Sequence, residues 1–195
     1  MAKIWFFQNW MYAGLIAALF LFAVLPLVAG EWSAAMVAVF LMLPAYMIHQ
    51  VEEHAGDRFR RFVNKRIARV PNALTTPVVV IVNVPLVWGV DLVAIYLARF
   101  VAVGWGLIAI YLILVNAVLH LAGAAVLRAY NPGLVTALVL FLPLGGWALV
   151  TVAETPSVTV TQHAVALAFA VVVHAGLAAH VLRRARLLRD AAASA

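Results

Sequence analysis

His49-Gln50-Val51-Glu52-Glu53-His54 packs four ionisable side chains into six residues of an otherwise strongly apolar chain. On a helix, His49, Glu52 and Glu53 stand at i, i+3 and i+4 and project from one face, the spacing that a divalent metal or a proton-transfer pair requires. His54 points further round. Asn116 and His120 repeat the i, i+4 spacing, Tyr130 follows in a Tyr-Asn-Pro-Gly turn, and His174 lies in the last apolar run. Two chemistries use these groups. In the metal-dependent one, His49, His120, His174 and a carboxylate of Glu52 or Glu53 hold zinc or iron, and the remaining glutamate is the general base. In the metal-free one, Glu52 activates water while His120 and Asn116 stabilise an oxyanion. The phenol of Tyr130 is within reach of the same helix ends.

The elements that must position these groups are membrane spans. Hydrophobic residues make up 67% of the 195, charged residues 10%, and the mean hydropathy is +1.09, far above soluble-domain values of roughly 45 to 50% apolar. The fold class is therefore all-α, a polytopic membrane helix bundle. Apolar runs bounded by turn or charge signals predict six spans, at about 11–29, 33–54, 77–98, 102–127, 132–152 and 162–182, in one domain over 1–190 with a frayed tail at 191–195. Thr76-Pro77 and Asn131-Pro132 read as an N-cap followed by a first-turn proline. An ionisable side chain near the bilayer core costs about 2.5 to 3.5 kcal/mol unless it is paired, ligated or neutralised, which makes the His49 to His54 cluster a candidate site.

The net charge of +6 is distributed by side. With the N-terminus inside, Lys3, the Arg58 to Arg69 group, Arg128 and the Arg183 to Arg189 group fall in cytoplasmic segments, and only Arg99 is outside. The positive-inside rule then gives six spans with both termini cytoplasmic, in a bacterial inner (plasma) membrane. The segment from Arg58 to Val70 reads either as an amphipathic helix on the inner leaflet or as a solvated basic loop. Neither implies nucleic acid, because no binding motif accompanies the charge. The absence of cysteine excludes disulfides, thiolate metal sites and cysteine nucleophiles.

Other intramembrane polar residues qualify this picture. Asn83 and Pro85 suggest a broken third span that offers backbone to the same pocket. Asp91, in the outer half, either pairs with Arg99 or is protonated, with a proton relay as its functional reading. His163 reads as interfacial and His180 as facing headgroups.

The ordered set His49-x-x-Glu52-Glu53, Asn116-x-x-x-His120 and Tyr130-x-Pro132-Gly133 resembles the HXXEE-motif family of membrane proteins, and the resemblance implies a shared site more than a known activity. CAAX-type glutamyl intramembrane proteases also combine a Glu-Glu pair with His and Asn on other helices. Here, however, Asp57 stands where that family's Arg falls, and Phe169 precedes His174 by five residues rather than four, so the likeness is one of site only.

The sequence thus predicts a membrane-embedded enzyme, a metal-dependent hydrolase or oxidoreductase, acting on a hydrophobic or lipidic substrate from the bilayer. The competing reading is a small proton- or cation-coupled carrier that uses the same cluster, with Pro44, Pro85 and Pro143 as hinges. A bis-histidine haem site on His120 and His174 leaves both glutamates without a role.

Overall fold

A computed structural model describes residues 2–194, with side chains from residue 5 onward; Ala195 and the side chain of Lys3 lie outside that description. Among the described residues there is no strand. The first span is α1 (Ala2–Ala29) and the second is α2 (Ala34–His54), which the Ser33 hydroxyl caps by accepting from Met36 N–H. Left-handed Gly56 and Asp57 then turn the chain into α3 (Arg58–Phe62), which continues through a π-helical turn over Val63–Ala68. The third span consists of α4 (Thr76–Ile81), a π-helical stretch over Val82–Trp88 and α5 (Gly89–Phe100). The fourth is α6 (Leu107–Leu127), the fifth joins α7 (Leu134–Thr136) through a π turn to α8 (Leu142–Ala153), and the sixth is α9 (Val160–Ala193).

Among the described residues six segments are long and apolar enough to cross a membrane, as the sequence predicts. Their outward residues suit lipid rather than water: Phe20 is 69% exposed, and Leu27 and Val126 are 81% exposed. In hydrocarbon the hydrophobic effect does not drive helices together, so packing depends on close approach and on buried hydrogen bonds. Ala38, Ala45, Ala109, Ala117, Ala148, Ala166 and Ala170 are all fully buried at helix contacts. The most enclosed helix is α2, packed by α1, α5, α6 and α8.

Several local expectations shift. Thr75, not Thr76, is the cap residue of α4, and Pro77 lies in its first turn. Asn131 does not cap the fifth span. Gly133 (φ +99°) occupies the cap position, and the Asn131 side chain turns back to α6. Proline removes a backbone donor, and the chain absorbs Pro85 within the wider π-helical turn. The Arg58 to Ala68 segment is helical and amphipathic. Val63 and Ala68 are buried, and the Asn64 amide bonds both backbone groups of Leu74. At the other end of the chain, α9 stays helical to Ala193.

Candidate metal centre

The C-terminal turns of α2 and α6 face the loop that leads into α7, and three buried groups meet there. His49 Nε2 lies 3.6 Å from Glu53 Oε2, and His120 Nε2 lies 3.6 Å from Glu53 Oε1. One ligand atom from each of the three residues fits within 4.8 Å of the others, a group that could hold a metal ion. On Glu53's other flank, His54 Nε2 is 2.9 Å from Oε2 but lacks hydrogen-bond alignment, while its ring packs against Trp10 and Phe59.

The hydrogen bonds on the far side of each imidazole decide which nitrogen carries the proton. Asn131 Nδ2 donates to the His120 carbonyl, so its Oδ1 faces His120 Nδ1 at 2.6 Å and must accept. Glu52 accepts from four donors: Tyr130 OH, the backbone N–H groups of Val135 and Thr136, and the Thr136 hydroxyl. A carboxylate that takes four donors is ionised. Because the Thr136 proton goes to Glu52, its oxygen, 2.7 Å from His49 Nδ1, accepts from that nitrogen. Both imidazoles therefore carry Nδ1–H and turn the Nε2 lone pair toward Glu53. A histidine oriented by its second nitrogen in this way is the usual arrangement around a bound metal.

Gly133 makes the approach possible. A Cβ on it would stand 2.6 Å from His120 Cε1 and 2.8 Å from His49 Cε1, and its φ of +99° is one that side chains rarely adopt. The turn thus presses bare backbone against both rings, while Phe141 covers His49 with ring centres 4.2 Å apart. This explains physically why Tyr-x-Pro-Gly belongs with the other two motifs: one loop supplies Asn131 to His120, Thr136 to His49 and the close contact to both.

The predicted site residues therefore separate into groups. His49, Glu53 and His120 converge. Glu52 and Tyr130 meet each other 2.7 Å apart, one position away from that centre; burial and the bond to Glu52 raise the Tyr130 phenol above its ordinary pKa. Asn116 donates to Tyr46 OH, and its Oδ1 is buried without a partner. His174 stands across a cavity, with Nδ1 donating to the Ala170 carbonyl of its own helix. Gly133 belongs to the Tyr130-x-Pro132-Gly133 motif, but Asn131 and Thr136 escape a motif reading because Asn131 looks like turn chemistry and Thr136 falls outside the motifs; the available signal was their closeness to Tyr130 in sequence.

Outside the centre, Gln50 links Asn83 and the Trp88 indole at 3.0 and 2.7 Å. Asp91 is fully buried, and both its oxygens lack partners. Arg99 lies over Phe100, so the ion pair expected between Asp91 and Arg99 is not formed. His163 bonds to Tyr111 OH, and His180 is exposed at the cavity mouth.

A family model described as a protein of unknown function with HXXEE motif matches residues 40–148, a stretch that contains all three motifs. No curated protein and no solved structure matches the chain.

Proposed function

Because the chain belongs to the HXXEE-motif family of unknown function, its activity has to be argued from the site, and we propose that it is a membrane-embedded, metal-dependent enzyme acting on a hydrophobic or lipidic substrate. The observation that carries this reading is the pair of imidazoles whose Nδ1–H groups are tied to Asn131 and Thr136 while both Nε2 atoms aim at Glu53. Two lone pairs and a carboxylate gathered away from water are costly unless a cation neutralises them. Donor atoms around a tetrahedral zinc with bonds of about 2.0 to 2.1 Å stand roughly 3.3 Å apart, and the two 3.6 Å separations are close to that.

Two histidines and one carboxylate suit catalytic zinc, and they also suit non-haem iron, which matches the hydrolase and oxidoreductase alternatives. A divalent ion there would supply Lewis acidity toward an oxygen of the substrate or of water. Glu53 and His120 line a cavity of about 650 Å³, and His49 lies behind them, so a substrate would approach from the cavity side. His49 and His120 bind, Asn131 and Thr136 orient, and Glu52 anchors the loop that does the orienting. In this reading the end of the bundle with Arg58 to Arg69 is cytoplasmic, both termini share that side, and the membrane is a bacterial inner membrane.

Metal analysis of the detergent-purified chain tests the proposal. The expected result is one zinc or iron per chain, lost on His49→Ala or His120→Ala. Protein that stays free of metal after zinc and iron are supplied would overturn it. The buried, unpartnered Asp91, in the third span next to the π-helical stretch that holds Pro85, favours a second reading, a proton-coupled carrier. Flux in liposomes that follows an imposed pH gradient and is lost in Asp91→Asn would support that reading instead.

A further inference from the structure

The cavity has two unlike walls. One, from α2 and α6, presents Tyr46, Glu53, His54, Asn116 and His120; the other, from the third span and α9, is aliphatic apart from Asn83, His174 and, at the mouth, His180, with Val82 and Leu177 among its residues. Its volume of about 650 Å³ lies within the roughly 300 to 1,000 Å³ of small-molecule sites. Leu86 and Val172, from the third span and α9, both line it and are also exposed on the lipid-facing surface. The cavity therefore opens sideways, toward lipid. Phe59, Phe62 and Val63 close the end nearest the basic turn.

Its polar groups define the kind of molecule it takes. Among the described residues no Lys or Arg lines the cavity and Glu53 is its only acid, so neither a phosphate head nor a carboxylate head finds a permanently cationic side chain. Because the Ala170 carbonyl can only accept, His174 Nδ1 is the protonated nitrogen and Nε2, at the outer tip of the ring, is left as an acceptor. Asn116 Oδ1 is a second acceptor, buried and without a partner. Acceptors on both walls of an apolar chamber call for a ligand with a hydrogen-bond donor at one end of an aliphatic chain.

We propose that this chamber binds a single-chain fatty alcohol, which enters between the third and sixth spans, lays its chain along the aliphatic wall and donates a hydrogen bond from its hydroxyl to His174 Nε2 or Asn116 Oδ1. The inference rests on the metal-enzyme reading only for what then happens at the hydroxyl oxygen; binding itself does not require the metal.

The test uses the full chain in detergent, with and without chelator treatment, and competes hexadecanol, hexadecane, hexadecanoate and hexadecylamine in native mass spectrometry. Hexadecanol is expected to bind one per chain and to outcompete the other three. Val82→Trp and Leu177→Trp, which fill the chamber from the third span and from α9 on its aliphatic wall, are each expected to weaken it about tenfold or more. His174→Ala should weaken it roughly two- to tenfold, the range for one hydrogen bond, and His174→Gln, which keeps an acceptor, should restore part of the loss. Equal binding of hexadecane, preference for hexadecanoate or hexadecylamine, or undiminished binding in both Trp variants would overturn the proposal. Metal content is measured on the same samples. Alcohol binding by protein that takes up no metal even when zinc and iron are supplied upholds the chamber and refutes the metal enzyme, whereas stoichiometric metal without alcohol binding upholds the metal site and refutes the chamber.

Discussion

His49 and Gln50 are consecutive residues of α2, both fully buried, and they anchor polar clusters of opposite kinds. Gln50 closes a neutral network: its amide donates to Asn83, its carbonyl accepts from Trp88, and Asn83 in turn donates to the Val79 carbonyl. Such a network holds helices together in lipid, at about 0.6 to 2 kcal/mol for each hydrogen bond. The cluster around His49 is satisfied only on its outer side. Its inner side gathers His49 Nε2, His120 Nε2 and the Glu53 carboxylate, and His49 Nε2 has no hydrogen-bond partner. A closed network has no capacity left for a ligand, whereas an outwardly braced and inwardly open one is built to receive something. The same contrast separates the adjacent glutamates. Glu52 is fully engaged by the loop, and Glu53 faces the two imidazoles.

The largest effects should come from the open cluster itself. His49→Ala, His120→Ala and Glu53→Gln are each expected to abolish stoichiometric metal, read by elemental analysis, while the far-ultraviolet circular dichroism stays helical. Retention of metal in all three would erase the contrast between the clusters. Gly133→Ala should come next: its methyl group collides with both rings and adopts an unfavourable φ, at a cost of about 1 to 3 kcal/mol. A lowered thermal midpoint together with lost metal is expected, and an unchanged midpoint would show that the loop does not press on the site.

Removing an orienting partner should cost less. Asn131→Ala and Thr136→Val are expected to weaken metal binding by roughly 10- to 100-fold, with Thr136→Ser close to the parent because it keeps the hydroxyl; competition with a chelator of known affinity measures this. Asn83→Leu should lower stability by about 1 kcal/mol and leave metal content unchanged, the reverse of the His49 phenotype. If it strips the metal instead, the two clusters are one. The smallest effect is expected for Tyr130→Phe, which leaves Glu52 with three of its four donors, a loss of about 1 kcal/mol in thermal melts.

Much of this organisation was legible in the chain because it depends on local rules. Long apolar runs needed no tertiary information to be read as spans, and the i, i+4 spacing of His49 with Glu53 put both on one helix face in advance. The division of labour between Glu52 and Glu53 was not legible. Adjacent residues on a helix point about 100° apart, and which direction meets a ligand depends on what packs there. For the same reason Asn131 read as a cap: its side chain has a local use in a turn, and only the position of α6 offered a better partner.

By itself the sequence determined that this is a bundle of six membrane-spanning helices with a buried His/Glu cluster near one end, since composition and helical period act over short distances. The tertiary structure alone decided that His49 and His120 share Glu53, that Thr136 and Asn131 hold their outer nitrogens, and that Gly133 fits between them. Apart from His49 with Glu53, one turn apart on α2, those contacts join residues from 11 to 87 positions apart, and only helix packing brings such partners within bonding distance.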